Sequence, residues 1–473
     1  MTRVSGWAEN AHAVSYVYRP STIEGVREVL RLARERGLHV GLRGAGRSYG
    51  DAAMASEHLG LDLTRLNRIT AWNPEIGIMT CEPGVTIQQV WEHAIEDGWW
   101  PPVVSGTMFP TVGGATAMNI HGKNQYRVGT WGEHVQTFDL LLPNGELRTC
   151  TPGESSHDLF HAAIGGFGVL GVFTSVTLAL RRVSSGLLRV RAFRARNISE
   201  LFVLSREFGE ASDQMVGWLD PFASGQSLGR GLLQTADDVH DDPASARTLR
   251  VEAQRLSEDV LGVPKSVLWR FMRPFVNNAG MRTLSALQYA AGSLKNGTAH
   301  YETHAAWAFK LDFVPHWKRA YGASGLVQYQ AFVPRGTAEE TFARMLRLCQ
   351  SRRLIPYLPV FKRHRPDPFL MSYSGDGYSL ALDFKLTATN RPALWSLAAE
   401  MDKVVLDAGG RFYFAKDSHL HPSRLAAYLA EERVQRFLAI KRELDPENLL
   451  QTDLYRRLFV PGNDTLASPI PAK

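Results

Sequence analysis

Cysteine is scarce in this chain of 473 residues, with only Cys81, Cys150 and Cys349. Three thiols, odd in number and far apart, exclude a disulfide framework and a cysteine metal site, and reduced thiols are the simplest reading. Long basic runs are missing too. The short clusters Arg352-Arg353 and Lys362-Arg363-His364-Arg365 lack zinc-ligand spacing, so neither a nucleic-acid partner nor a bound metal is expected. The first fourteen residues, MTRVSGWAENAHAV, lack the apolar core of a signal peptide. One uncharged run, Ala162 to Leu180, reaches the length of a membrane span. Four glycines (Gly165, Gly166, Gly168, Gly171) and the pattern Phe173-Thr174-Ser175-Val176-Thr177-Leu178 instead predict a turn feeding a strand. A cytoplasmic or peripherally membrane-associated protein is expected.

What is present is a globular composition, 44% hydrophobic and 21% charged. Lys and Arg exceed Asp and Glu by 53 − 47 = 6, a moderately basic balance that favours an anionic ligand or an acidic membrane face. The length suits two domains, one of them interrupted.

Glycine is concentrated in loops. Val104–Asn124 reads VSGTMFPTVGGATAMNIHGKN. Gly106, Gly113, Gly114 and Ala115 leave main-chain N–H groups open to phosphate or ring oxygens, and Thr107 and Thr111 add hydroxyls. Asn119-Ile120-His121-Gly122-Lys123-Asn124 follows, a polar composition that makes sense inside a fold when something polar is bound there. A second glycine loop, Gly44-Ala45-Gly46-Arg47-Ser48-Tyr49-Gly50-Asp51, comes after a predicted helix and strand. That helix is announced by the capping-box form Ser21-Thr22-Ile23-Glu24, by Val26, Val29, Leu30 and Ala33 on one face, and by Gly37 as its stop. No helical pattern opens directly after these glycines, which excludes a dinucleotide-binding Rossmann crossover. Strands are predicted at 59–63 and 76–80, and a helix from a second capping box at Thr86 to about Asp97, stopped by Gly98. A hairpin is predicted about Asn144-Gly145, then a short helix at 158–163 before a third glycine cluster.

Four blocks carry a resemblance: Arg43-Gly44-Ala45-Gly46-Arg47-Ser48-Tyr49, Gly106-Thr107 with Val112-Gly113-Gly114, Asp158-Leu159-Phe160 with Gly165-Gly166, and Gly168 with Gly171. In order and spacing they resemble the flavin-binding domain of the vanillyl-alcohol oxidase superfamily. His121-Gly122-Lys123-Asn124 and Gly46-Arg47-Ser48-Tyr49-Gly50-Asp51 most resemble its branch that oxidises a polyprenyl-phosphoryl ribose, the flavin half of an arabinose-forming 2-epimerase of cell-wall synthesis. The resemblance runs from about Gly6 to Phe459.

It implies an α+β, two-domain PCMH-type FAD-binding fold with a discontinuous flavin domain and an inserted antiparallel-sheet substrate domain. The boundaries are 1–183 for the flavin domain, 184–407 for the substrate domain, 408–459 for the return and 460–473 for a flexible tail. FAD is implied as cofactor, held by Arg43 to Tyr49, Gly106, Thr107, Thr111, Gly113, Gly114, Ala115, Asn119, His121, Gly122, Asn124, Gly168, Gly171, Val172 and Tyr413. Many members bond a His covalently to the flavin where this chain has Arg47. A guanidinium is no nucleophile at neutral pH, so a non-covalent FAD is predicted.

For the substrate, Trp218, Tyr321, Gln328, Gln330, Lys123, Lys362 and Lys416 are implied, the wall being formed by strands about Trp307–Asp312, Trp317–Gly322 and 328–330. Gln328 and Gln330 alternate, so both face one side of a strand. Lys123 and Lys362 read as exposed charges suited to a phosphodiester, and the segment Trp269 to Phe275 as the part facing the lipid tail or headgroups. Ala381 stands where mycobacterial members carry a cysteine. The element Tyr413-Phe414-Ala415-Lys416-Asp417 lends its lysine to the site. Oxidising a secondary alcohol moves a hydride to flavin N5 and a proton to a base, and His121, Lys416 and Tyr413 are the candidates. A separate NAD(P)-dependent short-chain reductase and a quinone or oxygen as electron acceptor are the implied partners. An oxidase of a small soluble sugar, alditol or aldonolactone is the alternative.

Overall fold

The computed structural model describes residues 1–153, 157–260 and 262–460. The predicted tail beyond residue 460 lies outside the described residues.

A four-stranded sheet opens the fold, in the order Thr2–Ser5, His12–Tyr18, Leu59–Asp62, Val40–Arg43, with the last three parallel. Helix Ile23–Glu35 makes the crossover and buries Val26, Val29, Leu30 and Ala33, the predicted stripe, against Val40, Leu59 and Leu61. Its cap is Thr22 rather than Ser21, because the Thr22 hydroxyl accepts from Gly25 N at 3.1 Å. Glu24 closes no capping box and pairs with Arg27 instead. Gly37, with φ of +61°, ends the turn as predicted.

Five antiparallel strands form the next sheet, in the order Ile69–Asn73, Ile78–Cys81, Val172–Ala179, Val135–Leu141, Leu147–Cys150. The Asn144-Gly145 hairpin is there, with Gly145 at φ of +91°. The strand expected at 76–80 is present as Ile78–Cys81 and starts two residues later, because Ile76 and Gly77 form the turn between two strands and Gly77, at φ of +69°, lies against the Trp99 ring. Helix Ile87–Ala94 begins with the predicted box, Thr86 and Gln89 capping each other, and Gly98 ends its extension to Asp97. The uncharged run resolves into helix His157–Ala163, a glycine turn and strand Val172–Ala179. No helix among the described residues is long and apolar enough to cross a membrane.

The third sheet has eight antiparallel strands, in the order Ala299–Thr303, Leu187–Ala195, Gly231–Asp238, Gln214–Leu219, Leu358–His364, Gly377–Lys385, Leu326–Pro334, Arg411–Phe412. Helices Ala338–Ser351 and Arg391–Asp407 pack together and on strands Gly377–Lys385 and Leu326–Pro334 of this sheet, burying Phe342, Leu346, Met401 and Val405. Of the three strands expected for the substrate wall, only Leu326–Pro334 is one. Trp307 lies in helix His304–Ala308, which the Thr303 hydroxyl caps by accepting from Ala306 N, and Trp317–Tyr321 is a 3-10 turn.

Past Arg411–Phe412 the chain returns to its beginning. Tyr49 N donates to Ala415 O at 2.8 Å, Leu450 bridges Val40 in parallel, and Asp453 accepts from Ser56 N and Oγ. Arg457 joins Asp51 and Asp417, 2.8 Å from each, inside the protein.

Candidate active site

A cavity of about 490 Å³ lies between the glycine loops and one face of the eight-stranded sheet. Strand register builds that face. Leu232, Trp218, Val360, Ala381 and Gln330 are successive cross-strand partners and so project to the same side. Two residues along, Gln234, Val216 and Lys362 repeat the row, while Leu358 and Gln328 flank it on the other side. The alternation predicted for Gln328 and Gln330 is therefore real. Both amides already have protein partners: Gln328 donates to Asp383, and Gln330 lies 3.3 Å from His121 Nε2.

The opposite wall contains the predicted Arg43 to Tyr49, Gly106, Thr107, Thr111, Gly113, Gly114 and Gly168. Its glycines serve protein packing before any ligand, since a Cβ on Gly44 would overlap Thr111 Oγ1 and one on Gly113 would press on Pro83. Residues Val112–Ala117 form a short helix rather than a loop, and the Thr111 hydroxyl caps it by accepting from Gly114 N. Thr107 donates to Asp312 Oδ1 at 2.8 Å and Met108 N to its other oxygen, which fixes the loop to residues 310–312. Burial pushes the Asp312 carboxyl up to about 6 despite both bonds. Arg43 donates to Ala53 O, and Arg47 stacks 4.9 Å from the Phe109 ring with its Nε buried and unpartnered.

Several predicted residues stand behind the wall. Ala115, Gly122, Gly171, Val172 and Tyr321 do not line the cavity. Asn119, at φ of +44°, holds its neighbours by accepting from Gly132 N and from Tyr373 through its own carbonyl. Asn124 donates to Pro102 O. Tyr321 packs with Trp317 and Tyr357 in the cluster behind Tyr49.

His121, Tyr413 and Lys416 meet in the cavity. The His121 ring sits 5.4 Å from that of Tyr413, edge-on to Phe332 and His364, with Nδ1 unpartnered. Burial, then the charges of Lys362, His364 and Lys416, hold its pKa well below the usual histidine range, so the imidazole is neutral. Burial pushes the Tyr413 hydroxyl up, which removes it as a base near neutral pH. Lys416 Nζ lies 3.6 Å above the Tyr49 ring centre. Burial and the Lys362 charge lower its pKa, and Asp383 opposes them. Asp383 is raised by burial against its bond from Gln328 and the Lys416 charge, and its second oxygen has no partner.

Lys123 is not the exposed charge the sequence led us to expect. Its ammonium donates to Trp307 O and Ala308 O and stacks 5.0 Å from the Trp307 ring, tying the His121 segment to helix His304–Ala308. Lys362 faces the cavity, and burial lowers its pKa to about 8. Sequence reasoning missed Asp383, Lys310 and Trp7. Asp383 had one readable signal, a carboxylate directly across from Gln328 in adjacent strands, which requires the register to be known.

Glycine-rich segments and two arginines, Arg43 and Arg47, on the wall of a cavity that also holds a low-pKa amine and a neutral imidazole match what an anionic flavin dinucleotide needs. A sequence model described as FAD binding domain matches residues 14–151. The protein is an FAD-dependent oxidoreductase. It is 31% identical over 461 residues to the decaprenylphosphoryl-beta-D-ribose oxidase of Mycolicibacterium smegmatis, covering 96% of this chain and 97% of that one. The chain thus belongs to the vanillyl-alcohol oxidase superfamily and, within it, to the decaprenylphosphoryl-beta-D-ribose oxidase family. An uncharacterized protein of Streptomyces coelicolor is 27% identical over 79% of this chain and 100% of its own. The D-arabinono-1,4-lactone oxidase of Yarrowia lipolytica, 27% identical, is matched over only 35% of this chain and 31% of its own.

Proposed function

We propose that this protein oxidises the 2-hydroxyl of a polyprenyl-phosphoryl ribose to a ketone, as the oxidase half of a 2-epimerase. The observation that carries this reading is the amine of Lys416, buried in the cavity with its pKa lowered and Asp383 as counter-charge. FAD, when bound, supplies the hydride acceptor. Lys416 takes the hydroxyl proton as the carbon gives up its hydride, so the C–O bond becomes C=O and the ammonium holds the proton. A neutral His121 and the unpartnered Oε1 of Gln330 offer an acceptor and an orienting group to neighbouring sugar hydroxyls. Arg43 to Tyr49, the 106–114 segment and Gly168 hold FAD without a covalent bond, since Arg47 stands where a linking histidine would. Chain division follows the same reading, a flavin domain of 1–183 completed by 408–459 around a substrate domain of 184–407.

The lipid end of the substrate, and a membrane face, would meet helix Asn278–Leu294 and the turn before it. Phe275 in that turn and Leu287 on the helix are each more than 60% exposed, as is Phe271 on the preceding helix Lys265–Met272, and Gln288 on the helix of Leu287 lines the cavity. An NAD(P)-dependent short-chain reductase would return the ketone to an epimeric alcohol, and a quinone or oxygen would reoxidise the flavin. Anaerobic flavin bleaching tests the proposal: farnesylphosphoryl ribose should reduce the holoenzyme, and free pentoses, alditols and aldonolactones should not. Bleaching by the latter group alone would establish the small-sugar alternative.

A further inference from the structure

Three lysine side chains gather at one end of the cavity near the buried Trp307 side chain. Lys123 and Lys310 stack on its ring at 5.0 and 4.4 Å, and the Lys362 charge is felt at Lys123. Among the described residues, the carboxylate within ion-pair reach of this group is Glu302, 4.0 Å from Lys310 Nζ, and it already bonds His300. Burial and the neighbouring lysine charges lower the pKa of Lys123, and burial lowers those of Lys310 and Lys362, so an anion joining the group would favour their protonated forms.

The three lysines are not equivalent. Lys123 is committed to two backbone carbonyls. Lys310 donates to the neutral Gln234 at 2.8 Å, and about 38% of its side chain is open. Lys362 has no protein hydrogen-bond partner among the described residues, and continuing the Gly217–Phe361 pairing by one residue sets it opposite Val216, which pairs with Gln234. Strands about 4.8 Å apart put Gln234 and Lys362 roughly 10 Å from each other across Val216. Two long flexible side chains reaching inward from that distance bracket a seat the size of a phosphate, floored by the small apolar Val216.

We infer that Lys310 and Lys362, with Gln234 holding Lys310 in place, form a phosphate-binding seat above Val216, and that Lys123 is the strut behind it. As an assignment to the phosphodiester of the substrate, this rests on the proposed function; as an anion site, it stands apart. A tetrahedral anion there receives two charge-assisted bonds, from either a lipid-linked phosphodiester or a free sugar phosphate.

Holoenzyme and its Lys310→Met, Lys362→Met and Lys310→Arg variants would be compared, with FAD content measured first. The methionine variants should keep their FAD and raise KM for farnesylphosphoryl ribose at least about tenfold, with Lys310→Arg recovering most of the loss. Inorganic pyrophosphate should raise the melting temperature of the parent holoenzyme and not of Lys310→Met, a readout that needs no turnover. Ribose 1-phosphate serves as the second source: a KM shift equal to that for the farnesyl substrate assigns the seat to phosphate in general, and a shift confined to the lipid substrate assigns it to the diester. Loss of FAD from the methionine variants would place the anion on the cofactor and overturn the inference, as would pyrophosphate stabilising parent and variant alike. Failure of farnesylphosphoryl ribose to bleach the parent would instead defeat the proposed substrate and leave the pyrophosphate result to judge the seat.

Discussion

Replacing Asp383 by Asn and Lys362 by Met should move the pH dependence of flavin reduction in opposite directions. Lys416 accepts a proton only as the free amine, so the rate falls on the acid side as the ammonium forms. Burial and the Lys362 charge lower its pKa, while Asp383 raises it. Asp383→Asn removes the raising charge, and the acid limb shifts to lower pH. Lys362→Met removes a lowering charge, and the limb shifts to higher pH. Two unit charges about 7 Å apart at an effective dielectric of about 20 interact by about 2.4 kcal/mol, or about 1.7 pH units. Asp383 is itself raised toward its protonated form, so the pair shares a proton and the observable shift is about one unit. Tyr49 and Tyr321, the other titratable groups around Asp383, are both pushed up by burial and contribute no charge in this range. Stopped-flow reduction at saturating sugar, from pH 5 to 9, reads the limb without interference from weakened binding. Shifts in the same direction, or none, would refute the role given to Lys416.

Lys416→Met should retain FAD and slow flavin reduction by about 10²-fold or more, measured as bleaching in the absence of air. Acid denaturation should release all the flavin into the supernatant, because Arg47 cannot form the covalent bond; flavin left on the precipitated chain would contradict that. Cys81, Cys150 and Cys349 are buried with thiols pushed up to about 12, so an aromatic disulfide reagent should label none of them until the protein unfolds. Arg457→Met leaves Asp51 and Asp417 without their shared cation and should cost about 3–5 kcal/mol in denaturant unfolding at neutral pH. Asp417 is held below its ordinary pKa, so its share of that stability is complete above about pH 4 and is lost as the pH falls through the lower folded value.

Local chemistry was the legible part of the sequence. Gly37, Thr86, Gly98 and the Asn144-Gly145 hairpin act through neighbours a few residues away, and each does what its spacing predicts. The helix at Val112–Ala117 was not legible, because two glycines in six residues lower helix propensity; close packing of Gly113 on Pro83 and of Thr116 in the core overrides it. Nor could charge state be read. Lys123, Lys310 and Lys362 look alike as letters, and only the third dimension shows one clasped by carbonyls, one leaning on a glutamine and one open to the cavity. Gln328 and Gln330 were placed on the right face by alternation alone, yet their partners lie 55 and 209 positions away in the chain.

The bond from Tyr49 to Ala415 and the bridge from Val40 to Leu450 have a bearing on biosynthesis. A ribosome emits the cradle first and its lysine-bearing closure more than 350 residues later. At roughly 5–20 residues per second, the nascent N-terminal half waits tens of seconds with its parallel sheet lacking the last chain segment. Supplying flavin during translation, and timing when the emerging polypeptide begins to quench it, would show whether the vitamin enters an open mould or only a finished one.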